Sequence, residues 1–190
     1  MTKPSLAKYR YRVDTNDVLV RVDSWWLAFA RENGAPELTE EYVLGRSLWD
    51  FVADSGTREL YQQIHRHLRA GKRRVVLPFR CDSSTVNRHM QLTITAEPDG
   101  QLSYESVLLR AETHRRLKLL DRDQPRSNAF LTICSCCMTA LVEPSGWLDL
   151  AEVVVRLRLL ESERVPRLRH VTCPNCADAL RLDGGNGTAA

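Results

Sequence analysis

Five of the six cysteines in this 190-residue chain fall in two tight clusters near its end. Cys134 and Cys137 make one Cys-x-x-Cys step and Cys173 and Cys176 make a second, with 35 residues (138 to 172) between the two. Such a step lets two sulfurs reach one tetrahedral ion from a single tight turn, at about 2.3 Å each, and two steps complete a four-thiolate shell. Zinc is the default ion, because thiolates and a closed tetrahedral shell suit it. Two other readings compete. Cys173-Pro174-Asn175-Cys176 alone has the spacing of a redox dithiol, but that use wants the motif to open a helix in a βαβ pattern, and few residues follow it. Reduced thiols can also pack unligated as small hydrophobes. Two pairs in order favour the metal. His170 is a candidate to replace one thiolate, although a lone His beside a strand is more often structural, and Cys136 is the spare thiol.

Outside the clusters the candidates are fewer. Cys81 stands alone at a strand edge, a redox reporter if its thiolate is accessible and an inert core thiol otherwise. His65 and His67 flank the apolar stripe Leu60, Ile64 and Leu68 of a helix and are candidate ligand-pocket residues. No Ser-His-Asp order, motif-borne carboxylate pair or phosphate-binding glycine loop is visible, so the expectation is a protein that is not an enzyme. The 27 basic and 24 acidic residues leave a formal charge of +3, too little to argue for nucleic acid by itself. The densest basic stretch, Arg115, Arg116, Lys118 and Arg122, reads either as a nucleic-acid contact or as a solvated face. No run of about 18 apolar residues spans a bilayer, and the N-terminus lacks the apolar core of a secretory signal. A cytoplasmic location with no membrane association is therefore expected, where close-spaced cysteines hold metal rather than disulfides.

The elements that must position these residues follow from periodicity. Residues 18–23 suit a strand. Trp25, Trp26 and Phe29 recur on one helical face that ends at Asn33-Gly34, more in the manner of core than of a cofactor box. Ser47 and Asp50 resemble a capping box for a helix holding Leu48, Trp49, Phe51 and Val52. Met90, Leu92, Ile94 and Ala96 alternate with polar residues, Asp99-Gly100 makes a hairpin turn, and Leu102 to Leu108 return along a partner strand. A helix over Leu150, Val153, Val154, Leu157 and Leu160 lies between the two Cys pairs, and a short linking helix is expected over residues 110–122. The fold class is α+β. A flexible tail covers residues 1–8, a sheet domain 9–110, a linker helix and loop 111–130, a four-cysteine metal unit with a helix 131–182, and a disordered tail 183–190.

The order ββ, helices, βββ resembles a PAS domain. Val43 to Val52 is similar to the signature between the short PAS helices, Trp26 to Gly34 to the preceding segment, and Phe79 to Ser83 with Arg88 to Leu92 to a bacterial subgroup carrying an RCDS strand motif. Ile133 to Cys137, Gly146-Trp147-Leu148 and His170 to Cys176 together resemble a CSxC…W…HxxCPxC zinc-clip module that follows PAS domains in bacterial signalling proteins. Cys136 departs from the module, where an aromatic residue is common, and leaves the ligand set open. The resemblance implies a five-stranded antiparallel sheet with helices on one side and a ligand pocket beneath the long helix. It also implies a sensor or adaptor role, a homodimer, and a protein partner in a signalling pathway such as a histidine kinase. A haem would take its axial His from that helix; two half-buried histidines are the commoner case. Nothing here resembles the cysteine context of flavin photochemistry.

Overall fold

The computed structural model describes residues 7–52 and 55–182, the side chains of 180–182 excepted. Most of the two expected tails therefore lies outside the described residues, although β1 already begins at Lys8. The chain divides into two compact units, Met1–Leu77 with Met90–Leu109 and Pro78–His89 with Arg110–Ala190. Pro78–His89, expected in the sheet domain, thus belongs to the second unit.

The first unit is built on a five-stranded antiparallel sheet. Strands β1 (Lys8–Val13) and β2 (Leu19–Val22) are followed by helices α1 (Ser24–Glu32), α2 (Glu40–Val43) and α3 (Ser55–Arg69), then by β3 (Arg74–Arg80), β4 (Val86–Ala96) and β5 (Leu102–Thr113). The sheet order is β2-β1-β5-β4-β3, so the first strand sits beside the last, with Tyr11 opposite Tyr104.

Local chemistry explains the boundaries. Asp23 caps α1 by accepting the Trp26 N–H at 2.7 Å. The helix stops at Asn33-Gly34, where Gly34 takes φ 81°, a conformation that costs glycine nothing. On β4, Met90, Leu92 and Ile94 are buried as their alternation predicts. The β4–β5 turn places Gly100 at φ 80°, with the Asp99 carboxylate accepting the Gln101 N–H.

Three expectations are revised. The pairing of β1 with β2 shifts between Arg12 and Val13, so Leu19 and Val22 both face the core and Val20 is 42% exposed. The bulge breaks the period of two. Only one 3-10 turn, Leu48–Asp50, forms after Ser47, whose hydroxyl accepts the Trp49 N–H. In α1, Trp26 and Phe29 pack near Tyr11 and Tyr9, whereas Trp25 is 65% exposed.

The core of this unit holds one polar group that the apolar pattern does not announce. His65 of α3 is 1% exposed. Its Nδ1 meets the Asp17 carboxylate at 2.7 Å and its Nε2 bonds the Tyr104 hydroxyl. Asp17, held at φ 63° in the β1–β2 turn, also accepts from Arg69 at 2.7 Å and from the Trp49 indole at 3.2 Å. One carboxylate therefore ties the turn, the long helix and the central strand together.

The second unit carries a four-stranded sheet, β8-β7-β6-β9, from β6 (Arg126–Cys134), β7 (Ala140–Val142), β8 (Gly146–Leu148) and β9 (Val165–Val171). Helix α4 (Leu150–Arg156) links β8 to β9, and α5 (Pro174–Leu182) follows β9. β6 and β9 run parallel, which requires a crossover, and α4 lies within it. Leu131, Ile133, Ala140, Leu150, Val153 and Val165 form the centre of its core. The expected linking helix is absent among the described residues: β5 runs on to Thr113, and a single 3-10 turn, Lys118–Leu120, buries Leu119. α4 is also shorter than its stripe. It ends at Arg156, Arg158 turns left-handed at φ 52°, and Leu159 is buried in place of Leu157 and Leu160.

Burial alone would raise the Asp17 carboxyl, but its bonds to His65 and Arg69 outweigh that effect and hold it below its ordinary value. A group ionised more readily when folded contributes stability at neutral pH and loses it as pH falls through the folded pKa. In Asp17→Asn, stability at pH 7 should drop by about 1–3 kcal/mol. The loss of stability below about pH 4 should also flatten, since that is where ordinary carboxylates titrate. Urea unfolding across pH measures both, and an unchanged acid limb would mean that Asp17 is not the linked group.

Candidate metal centre

The parallel pairing of β6 and β9 delivers both Cys steps to one end of the second sheet. Cys134, the last residue of β6, stands opposite Val171, the last residue of β9. Beyond β6 the chain turns sharply: the Met138 N–H returns to the Cys134 carbonyl at 3.0 Å, with Met138 at φ 59°. Beyond β9, Cys173 leads into α5, with the Ala177 N–H on its carbonyl at 2.9 Å, and Cys176 lies in the first turn of that helix. The two ends are joined by the Ser135 N–H donating to the Val171 carbonyl at 2.8 Å.

The sulfurs of Cys134, Cys137, Cys173 and Cys176 all lie within 4.8 Å of one another. Arms of about 2.3 Å at the tetrahedral angle require an S–S edge of about 3.8 Å, and the Cys137–Cys173 separation is 3.8 Å. All six cysteines are free thiols. Cys134 and Cys173 are buried, Cys137 and Cys176 half-buried. Backbone donors already point inward: the amides of Cys136 and Cys173 reach the Cys134 sulfur at 3.4 and 3.3 Å. The donor set fits a closed, all-sulfur ion site. Its four thiolates would hold the ion, and the ion would supply a cross-link between the ends of β6 and β9.

The thiols of this cluster interact strongly. A hydrogen bond with the Cys136 thiol does most to pull Cys134 down, to about 3, against burial, and the amides of Cys173, Cys137 and Cys136 assist. The neighbours go the other way. Cys136 is pushed up by that same bond and by burial; Cys173 and Cys176 are pushed up first by burial. Crowded thiols that oppose one another's ionisation are a donor set that a cation between them would relieve.

The remaining candidates are placed as follows. His170 is exposed on β9 and Cys136 half-buried in the turn, and neither belongs to the grouped set. Cys173-Pro174-Asn175-Cys176 opens a helix after a strand, but among the described residues no strand follows that helix to complete the βαβ pattern that redox use wants. Its sulfurs also lack the accessible, lowered thiol that such chemistry needs, since Cys173 is 2% exposed and raised. Cys81 is half-buried just beyond β3, and burial raises it, so a thiolate reporter is disfavoured. Both ring nitrogens of His65 are engaged and His67 is exposed, leaving neither arranged as an axial ligand.

The expected space between sheet and α3 holds packed rings: Tyr104 stacks on Tyr11 at 4.3 Å, and His65 lies 5.2 Å from Trp49. A concavity of about 530 Å³ opens instead on the polar face of that sheet, lined by Arg10, Arg12, Arg21, Thr93, Thr95 and Glu97 among others. Its charges are largely met internally, Arg10 by Glu105 at 2.7 Å and Arg12 by Glu97 at 3.9 Å.

Sequence reasoning missed the clamp on the first Cys turn. The Arg80 N–H donates to the Cys136 carbonyl at 2.7 Å, while its guanidinium pairs with Asp82 and reaches Asp149 at 3.1 Å. Asp149 caps α4 through the Ala151 N–H. The Arg80-Cys81-Asp82 motif is the available signal, but its strand context points to the sheet domain.

No family model and no curated protein matches the chain. Among solved structures, a sensory box sensor histidine kinase from Vibrio cholerae is similar at 11% identity, covering 55% of this chain and 82% of that one, with a TM-score of 0.40. The PAS domain of BvgS from Bordetella pertussis is similar at 15% identity over 81% of this chain and 80% of that one, TM-score 0.34. The PAS domain of an HTR-like protein from Haloarcula marismortui is similar at 17% identity over 56% and 81%, TM-score 0.31.

Metal binding must displace the protons that Cys173 and Cys176 retain at neutral pH. Titration calorimetry in buffers of different ionisation enthalpy should show at least two protons released per ion, and affinity rising with pH. Proton-neutral binding would place the ion elsewhere.

Proposed function

We propose that this chain is a non-catalytic sensor or adaptor of the PAS type, in which a structural zinc clip braces a partner-docking unit. The observation that carries the reading is the closure of four thiols, from two steps 35 residues (138 to 172) apart, to within 4.8 Å. A unit with so small a core gains from a cross-link that holds both ends of its sheet. Zinc is the ion that an all-thiolate tetrahedral shell favours. The five-stranded antiparallel sheet with three helices between its second and third strands is consistent with the PAS resemblance. That resemblance also carries the homodimer and the signalling partner. Among the described residues no helix is long and apolar enough to cross a membrane. The basic 115–122 segment lends less to a nucleic-acid reading, because Arg116 pairs with Asp121 and Lys118 donates to the Ser162 carbonyl.

Elemental analysis of the isolated protein should return about one zinc per chain, with no haem or flavin absorption. Cys134→Ser should lose the metal and lower the Tm, as expected where metal binding and folding are coupled. A metal-free chain whose C-terminal unit melts identically with and without chelator would falsify the clip.

A further inference from the structure

Resting on the reading of the second unit as a docking module, we propose that the open edge of β9 receives an extended acidic segment of a partner protein by strand addition. β9 is the last strand of its sheet and among the described residues has β6 as its one strand neighbour, with the Lys118–Leu120 turn also packed against it. Its Val165 N–H donates to Pro125, and its Val171 carbonyl accepts from Ser135. In a parallel ladder alternate residues bond the neighbour, so odd-numbered positions face β6 and the amides of Leu168 and His170 face outward. Pro166, which has no N–H, lies within the register shift and its carbonyl already accepts from Arg126 at 3.1 Å, so the edge left for an added strand is residues 167–171.

Charge selects the occupant. Residues 126–134 and 164–171 contain Arg126, Arg164, Arg167, Arg169 and His170 and no Asp or Glu. Arg126 is spent inside, donating to the carbonyls of Leu119, Asp121 and Pro166. Arg164, Arg167 and Arg169 are exposed, and among the described residues none has a carboxylate partner. Edge-to-edge pairing with a second copy would set arginine against arginine, an arrangement that like charges penalise. An acidic strand meets the same row favourably. Phe130 on β6, 56% exposed, carries the Arg169 guanidinium 5.1 Å from its ring, which holds that cation on the face of the sheet beside the edge. A single exposed aromatic is a poor platform for successive bases, which makes single-stranded nucleic acid the weaker fit.

The test uses the zinc-loaded 190-residue chain and a fluorescent peptide of about ten residues alternating Glu and Val, followed by anisotropy. We expect saturable binding that weakens about tenfold or more as salt shortens the screening length. Binding should be lost in Arg167→Glu/Arg169→Glu, whose zinc content and Tm report an intact fold, and lost when alternate peptide amides are N-methylated. Equal binding of the N-methylated peptide, equal or tighter binding of an oligothymidylate of the same charge, or no peptide binding at all would each overturn strand addition. A chain that holds zinc yet ignores the peptide sinks the edge proposal alone. A metal-free chain that still takes the peptide sinks the clip alone.

Discussion

The parallel register between β6 and β9 is the constraint on which the second unit depends. Cys134 and Val171 end their strands side by side, and the chain leaves both ends in tight turns. A slip of one residue would move Leu131 and Ile133 from core to solvent and carry Cys134 away from its partners. Burial of Ile133, Val153 and Val165, all 0% exposed, therefore does two jobs. It stabilises the sheet and sets where the sulfurs meet. The crossover through α4 is what permits parallel pairing at all.

The Cys turn is supported from outside the two motifs as well. Arg80 holds the Cys136 carbonyl with its N–H and aims its guanidinium at Asp82 and Asp149, the second of which also caps α4. One arginine thus links the turn that carries half the ligands to the helix that closes the crossover. The first unit uses a comparable device: Asp17 receives His65, Arg69 and Trp49 from three places in the sequence. In each case one charged side chain gathers elements that apolar packing alone would leave free to slide. Hydrogen bonds have direction where hydrophobic burial has none.

Much of the architecture is legible in local pattern. The alternation along β4, the Asp99-Gly100 turn, the amphipathic α3 and the spacing of the Cys steps are short-range signals, and each corresponds to a feature of the fold. The departures share a cause. The alternation of residues 18–23 gives a strand but not the exposure of Val20, because a bulge cannot be read from it. Leu157 and Leu160 fall on the α4 stripe because no glycine or proline marks its end at Arg156. Residues 110–113 read as helix because a strand lengthened by its neighbours looks locally no different from a charged helical run. His65 reads as a candidate ligand because its two bonding partners, Asp17 and Tyr104, lie 48 and 39 residues away.

By itself the sequence determined the residue types that chemistry needs and the steps that let two thiols share one ion, because both are properties of a few consecutive residues. Tertiary structure alone decided that the two steps meet, that Pro78–His89 joins the second unit, and that His65 is tied down at both ring nitrogens. It also decided that the arginines of β9 line an open edge. Each of these rests on which strand lies beside which. That choice is made by burial summed over the whole chain, and no short stretch carries it.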